Sequence, residues 1–308
     1  MLALHRLLHQ IVDYAGLFPP ASLSLDTVAR NYHEYVTSQH SWMLARLIIP
    51  ATRLQEFADI GKALFPDGTR QNRWQISALI PSVSDDSFDE AVASIEAFNQ
   101  QCDFAQVDTV EGKLSDINVA GASVDRIPAS LNAFLEIPHN DPDEIIRELA
   151  AMGRSNAFAK IRTGGVTTNL IPSSERVANF ICRCAAANLA FKATAGLHHP
   201  LSGEYRLTYE ADSATGRMHG FINVFLAACF ARCHDWTSDH LVTLLETTSP
   251  DAFVPGNNQI AFGGLALSAA DIETVRQEFA ISFGSCSFTE PVEDLIALGW
   301  LADAAKTV

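Results

Sequence analysis

Short apolar, β-rich runs alternate along this chain with longer segments whose apolar positions recur every three or four residues. The runs are DYAGLFPP (13–20), MLARLIIPA (43–51), WQISALIPSV (74–83), DFAQVDTV (103–110), NAFLEIP (132–138), AFAKIRTGG (157–165), LAFKATAG (189–196) and AISFGSCSF (280–288). Their length and composition predict strands; the stretches between them have helical periodicity. A ninth run, QIAFGGLAL (259–267), lies between the last two and reads as an excursion. Helix starts are marked as well. Asp141 stands where an N-cap belongs, with Pro142 at the first helical position; Ser173 or Ser174 caps PSSERVANFICRCAAAN; and Ser268 with Asp271 forms a capping-box pattern. Strand–helix alternation repeated eight times predicts a parallel sheet closed into a (β/α)8 barrel, one domain with an N-terminal helix and an excursion before the last strand. The alternative is an open doubly wound sheet. No G-x-G-x-x-G turn follows an early strand, so the dinucleotide-binding version of that fold loses support.

Composition narrows the function class. The chain has 308 residues, 48% hydrophobic and 19% charged, and a formal net charge of −15. An acidic surface repels phosphate backbones and anionic lipid, so neither nucleic acid nor membrane is an expected partner. No apolar run reaches the roughly 18 residues of a membrane span. The N-terminal segment is interrupted by His5, Arg6, His9 and Asp13, and reads as an amphipathic helix rather than a signal peptide. Of the six cysteines, Cys182 with Cys184 and Cys229 with Cys233 lie in apolar helical segments without zinc-ribbon spacing. They are expected as buried or half-buried thiols in a reducing, cytoplasmic compartment.

Barrel chemistry sits at the C-terminal ends of the strands. Those ends carry Asp108, Glu136, Lys160, Arg162, Lys192, Thr194, His198, His199, Ser285, Cys286 and Ser287, while DYAGLFPP places Asp13 and Tyr14 near the rim and Pro19-Pro20 shapes a turn. Lys160 and Lys192 weigh most, because each interrupts an otherwise apolar strand and a buried ammonium is costly without a partner. Two nearby amines disfavour each other's protonation, and a neutral amine can attack a carbonyl to form an iminium. The plain structural alternative pairs each lysine with a carboxylate such as Asp108 or Glu136, and Arg162 with Glu136.

In order, QVDTV (106–110), FLEIP (134–138), DPDEIIRELA, FAKIRTGG (158–165), FKATAG (191–196) and GSCS (284–287) resemble the motifs of deoxyribose-phosphate aldolase and the wider class I, lysine-dependent aldolase superfamily. The resemblance covers a little over half of the chain. It implies that Lys160 forms a Schiff base, that Lys192 tunes it and that Asp108 assists proton transfer. Glu136, Arg162, Thr163, Gly164, Thr194, Gly196, His198, His199 and Ser285 are then assigned to the substrate, a small carbonyl compound. Neither cofactor nor metal is required, and a homo-oligomer is left open. Three positions depart from the pattern. Arg162 replaces a small residue, Ala195 replaces a glycine of the phosphate-binding turn, and LHHP (197–200) replaces the segment after it. A sugar phosphate is therefore not the expected substrate. Two other readings stand beside the aldolase or lyase: a metal-dependent hydrolase, isomerase or lyase using His198, His199, His219 and Glu136, and a non-catalytic barrel scaffold.

Overall fold

The computed structural model describes residues 2–65, 73–82, 85–114, 124–138 and 142–302. Eight parallel strands close into a barrel: β1 (Val12–Tyr14), β2 (Leu44–Pro50), β3 (Trp74–Leu79), β4 (Ala105–Lys113), β5 (Asn132–Glu136), β6 (Ala157–Arg162), β7 (Phe191–Thr194) and β13 (Ala280–Ser285). The order around the barrel is β1-β13-β7-β6-β5-β4-β3-β2, so every strand lies beside its chain neighbour among these eight and β13 returns to β1. This is the α/β barrel that the alternation predicts. The chain leaves it twice after β7. One excursion is the antiparallel pair β8 (Gly203–Arg206) and β9 (Thr215–Met218). The other is the three-stranded sheet of β10 (Val254–Pro255), β11 (Gln259–Phe262) and β12 (Leu265–Ser268). The ninth apolar run belongs to this second sheet, outside the barrel.

Helices cover the outside because each offers one apolar stripe to the sheet. The helix Leu25–Thr37 buries Leu25, Val28, Ala29 and Tyr32, and its N-cap Ser24 accepts from the Thr27 N–H. Ser173 caps Ser174–Ala186 by position, Pro142 opens Pro142–Ala151, and Ser268 with Asp271 completes the expected capping box of Ala269–Glu278. The Asp141 cap lies outside the described residues. The helix Phe221–Cys233 is buried all round from Phe221 to Ala231 and apolar there but for Asn223, whose amide is hydrogen-bonded to the backbone of Ser202, Leu244 and Thr247. It is enclosed by the helices Ser174–Ala186, Ser238–Leu245 and Ala269–Glu278 together with β12 and β13. The N-terminal helix Leu2–Leu8 buries Ala3, Leu4, Leu7 and Leu8 and packs on Ala269–Glu278 and β11. All six cysteines are free; Cys233 is exposed rather than half-buried because it ends its helix. No described helix is long and apolar enough to cross a membrane.

Candidate active site

Lys160 and Lys192 are register partners on the adjacent parallel strands β6 and β7. Register partners in a parallel pair share a face, and here that face is the barrel interior. Lys192 is fully buried: its Nζ donates to Asp13 Oδ2 at 2.6 Å and to Glu111 Oε1 at 2.6 Å. Lys160 Nζ lies 3.3 Å from Glu111 Oε2 and 3.3 Å from Glu136 Oε2. Glu136 Oε1 in turn accepts from Arg162 Nε at 3.2 Å. Opposite charges therefore alternate through the barrel, Asp13, Lys192, Glu111, Lys160, Glu136, Arg162. The series runs from side chains at 0–1% exposure to 33% at Arg162.

The inner end is fully hydrogen-bonded, as buried charge demands. Asp13 Oδ1 accepts the Arg46 backbone N–H at 2.9 Å, and Oδ2 also accepts the Ser282 hydroxyl at 2.6 Å. Glu111 Oε1 also accepts from Ser77 at 2.7 Å. Burial pushes the Glu111 carboxyl up, but the Lys192 and Lys160 charges and the Ser77 hydroxyl outweigh it and bring it down to about 2. Burial likewise opposes the Lys192 charge, yet Asp13 and Glu111 raise its pKa above the ordinary lysine value. Lys192 is thus a fixed cation clamped by two carboxylates. Glu136 follows the same logic: burial raises it, and Lys160 and Arg162 bring it net below the ordinary value.

A cavity of about 500 Å³ opens at the C-terminal strand ends and is lined by Lys160, Glu111, Glu136, Arg162, Thr194, Gly196, His198 and Cys286 among others. Its walls are largely apolar, with Phe18, Ile48, Ile80 and Met218. Pro19 and Pro20, which the sequence reads as mere turn formers, are lining residues. Two predicted turn residues act behind the wall. Thr163 Oγ1 donates to the Ala195 carbonyl at 2.6 Å, and Gly164 packs on Gly196 so closely that a Cβ there would lie 2.7 Å from the Gly196 Cα. The turns after β6 and β7 are therefore joined backbone to backbone, with Ala195 and Gly196 both in the left-handed region at φ 59° and 77°.

Three expectations need correction. Asp108 is the extra residue of a β-bulge, since Ile76 and Ser77 pair with Val107 and Thr109. Its carboxylate takes a two-pronged ion pair from Arg46, 2.7 Å on each prong, and does not line the cavity. Ser285 is buried but also absent from the lining: Ser282, Gly284 and Cys286 occupy the inward positions, and alternation turns Ser285 away. Asp13, expected at the rim, is buried inside the barrel against Lys192.

Glu111 and the inward role of Asp13 escaped the sequence reading. The fourth apolar run ends at Val110, whereas β4 continues to Lys113. The usable signal was the one that singled out the lysines, a charged side chain within an apolar strand. The four residues of the metal-dependent reading do not converge. His198 Nδ1 faces Glu290 at 3.1 Å, His199 Nδ1 faces Asp294 at 2.7 Å, and His219 Nε2 faces the Pro172 carbonyl at 2.8 Å. Among the described residues, no group of three or more His, Cys, Asp or Glu is arranged to hold a metal ion. Comparison of the chain with protein-family models, curated proteins and solved structures gave no match.

Proposed function

We propose that this chain is a lyase of the aldolase type, acting on a small carbonyl compound through a Schiff base on Lys160. The observation that carries the reading is the position of Lys160. It is a nearly buried amine lining a cavity, with two carboxylates at 3.3 Å and a second lysine beside it. Glu136 lines the same cavity and is the group suited to take the Lys160 proton as the amine attacks. It can return that proton to the carbonyl oxygen and then pass on a second one from the carbinolamine nitrogen, so that the oxygen departs as water and leaves an iminium that withdraws electrons from the neighbouring carbon. Lys192 keeps Glu111 ionised and aimed at Lys160, a positioning role reached through a shared carboxylate. Arg162, Thr194 and His198 are placed to hold polar groups of the substrate, and the apolar walls its carbon chain.

The test is borohydride reduction of the full chain with a panel of aldehydes and keto acids, followed by intact mass and peptide mapping. A reduced adduct on Lys160, lost in Lys160→Ala, is the expected result. No adduct with any member, or one formed equally by a folded Lys160→Ala variant, would overturn the reading. Deoxyribose 5-phosphate is expected to be a poor substrate, because Ala195 and His198 stand in the turn that would cradle its phosphate.

A further inference from the structure

On the cavity wall formed by β7 and β13, a second set of reactive side chains meets. β13 pairs with β7, so Cys286, just beyond β13, comes beside His198 in the turn beyond β7. Cys286 Sγ is 3.9 Å from His198 Nδ1 and 3.5 Å from Tyr209 Oη. Glu290 Oε2, on the helix Thr289–Ala297, lies 3.1 Å from His198 Nδ1 and accepts from the Tyr209 hydroxyl at 3.2 Å. Four separate elements thus supply a thiol, an imidazole, a carboxylate and a phenol in mutual contact. The Schiff-base reading uses none of their mutual contacts. Cys286 and His198 both line the main cavity, whereas His198, Tyr209 and Glu290 line a neighbouring one of about 280 Å³. His198 stands in the wall between the two.

We propose that Cys286 is a nucleophile toward small, soft carbon electrophiles entering the main cavity, such as activated alkenes conjugated to a carbonyl, with His198 as its proton partner. The sulfur attacks the β carbon and forms the C–S bond. The alkene pair moves to the α carbon, which takes the proton from the His198 imidazolium. Glu290 holds the imidazole and stabilises its charged form. The titratable groups facing the sulfur are His198, Tyr209 and, farther off, Tyr14, with the Ala21 backbone N–H as a further donor. Burial pushes the Cys286 thiol up, but His198 and Tyr209 bring it net below the ordinary value. For His198, burial is outweighed by Cys286 and Glu290, which raise it to about 9. Burial instead pushes Cys102, Cys182, Cys184, Cys229 and Cys233 up. Cys286 is thus the one of the six free cysteines whose thiol is drawn below the ordinary value.

The probe is iodoacetamide on the native full chain, where the C–S bond forms and iodide leaves with the C–I pair. Alkylation rates of each cysteine are followed by peptide mass from about pH 5.5 to 9.5. Cys286 should react with a midpoint below the ~8.5 of a free thiol, and near pH 6.5 about tenfold faster than exposed Cys233. His198→Asn should move that midpoint upward and slow the reaction near pH 6.5 by about tenfold. If that variant does not fold, the wild-type profiles of Cys286 and Cys233 decide alone. Labelling of Cys233 first, with Cys286 reacting only above about pH 8.5, would overturn the proposal. So would a folded His198→Asn chain with an unchanged Cys286 profile.

Discussion

Lys160 and Lys192 share one carboxylate, each taking a different oxygen of Glu111, Oε2 for Lys160 and Oε1 for Lys192. Direct repulsion between two bare amines is therefore not how these lysines act on each other. Glu111 stands between them, and any change at one is felt by the other through it. Replacing Glu111 by Gln keeps the shape and removes the charge that both ammoniums face. Breaking a buried ion pair from one side costs about 3–5 kcal/mol. Glu111→Gln should lose stability of that order in urea unfolding, read as a lower midpoint at unchanged slope. A loss below about 1 kcal/mol, the scale of surface pairs, would mean that the network is not held by its charges.

The same network predicts an acid limb of stability. The Glu111 carboxyl is held at about 2, below the roughly 4.3 of an unfolded chain. Its contribution is present above the unfolded value and fades as pH falls from there toward about 2. Glu136, also lowered, adds in the same direction. His198 has the opposite sign: raised to about 9, it stabilises fully below roughly 6.5, and that contribution is lost as pH rises through about 9. Melting temperature against pH should show both limbs. Glu111→Gln should flatten the acid one and Glu290→Gln the alkaline one. If each variant merely lowers the whole curve in parallel, these groups do not set the limbs.

A third prediction concerns the joined turns. A Cβ on Gly164 would lie 2.7 Å from the Gly196 Cα, and one on Gly196 would lie 2.6 Å from the Gly164 Cα with φ at 77° besides. Backbone cannot swing aside as a side chain tip can. Gly164→Ala should destabilise by about 1–3 kcal/mol. It should also weaken borohydride trapping at Lys160 by parting the turns above it. Gly153, also at positive φ but with nothing within 4 Å of its Cβ position, is the control. Gly153→Ala should leave trapping intact.

The barrel was legible because each strand is an apolar run closed by a turn signal, and because eight of them fix the closure. The two lysines were legible for the complementary reason: a cation inside an apolar strand needs an explanation. Asp13 and Glu111 obey that same rule, but Asp13 was assigned to the rim and Glu111 falls past the predicted end of β4. The bulge at Asp108 could not be read from alternation, since an inserted residue shifts the phase of everything beyond it. Asp108, to which the resemblance gives proton transfer, pairs instead with Arg46, and the place beside the lysines is filled by Glu111 three residues later. The Cys286–His198 contact joins residues 88 apart in sequence. It required the β7–β13 pairing across the two excursions that separate these strands in the sequence.

The last prediction tests whether the inner end of the network acts as a unit. Lys192 and Asp13 are bonded at 2.6 Å with side chains at 0% and 1% exposure. Lys192→Met alone leaves Asp13 and Glu111 facing each other with no cation between them. Asp13→Asn alone leaves Lys192 with Glu111 as its one anionic partner. Each single change is expected to cost about 3–5 kcal/mol, because it strands buried charge. The double variant removes one positive and one negative charge together, so part of that penalty disappears. It should be less destabilised than the sum of the singles by about 0.5–3 kcal/mol, the range seen for residues in one ionic network. Strict additivity in urea unfolding would show that the pair is not coupled. Trapping at Lys160 supplies a readout that stability alone would not move. In Lys192→Met, Glu111 has lost its closer cation and its full charge acts on Lys160, so the pH optimum of trapping should rise. In the double variant Glu111 is in the same position, so the optimum should stay raised although stability partly recovers. An optimum that returned to the wild-type value along with stability would show that Lys192 affects Lys160 only by holding the fold.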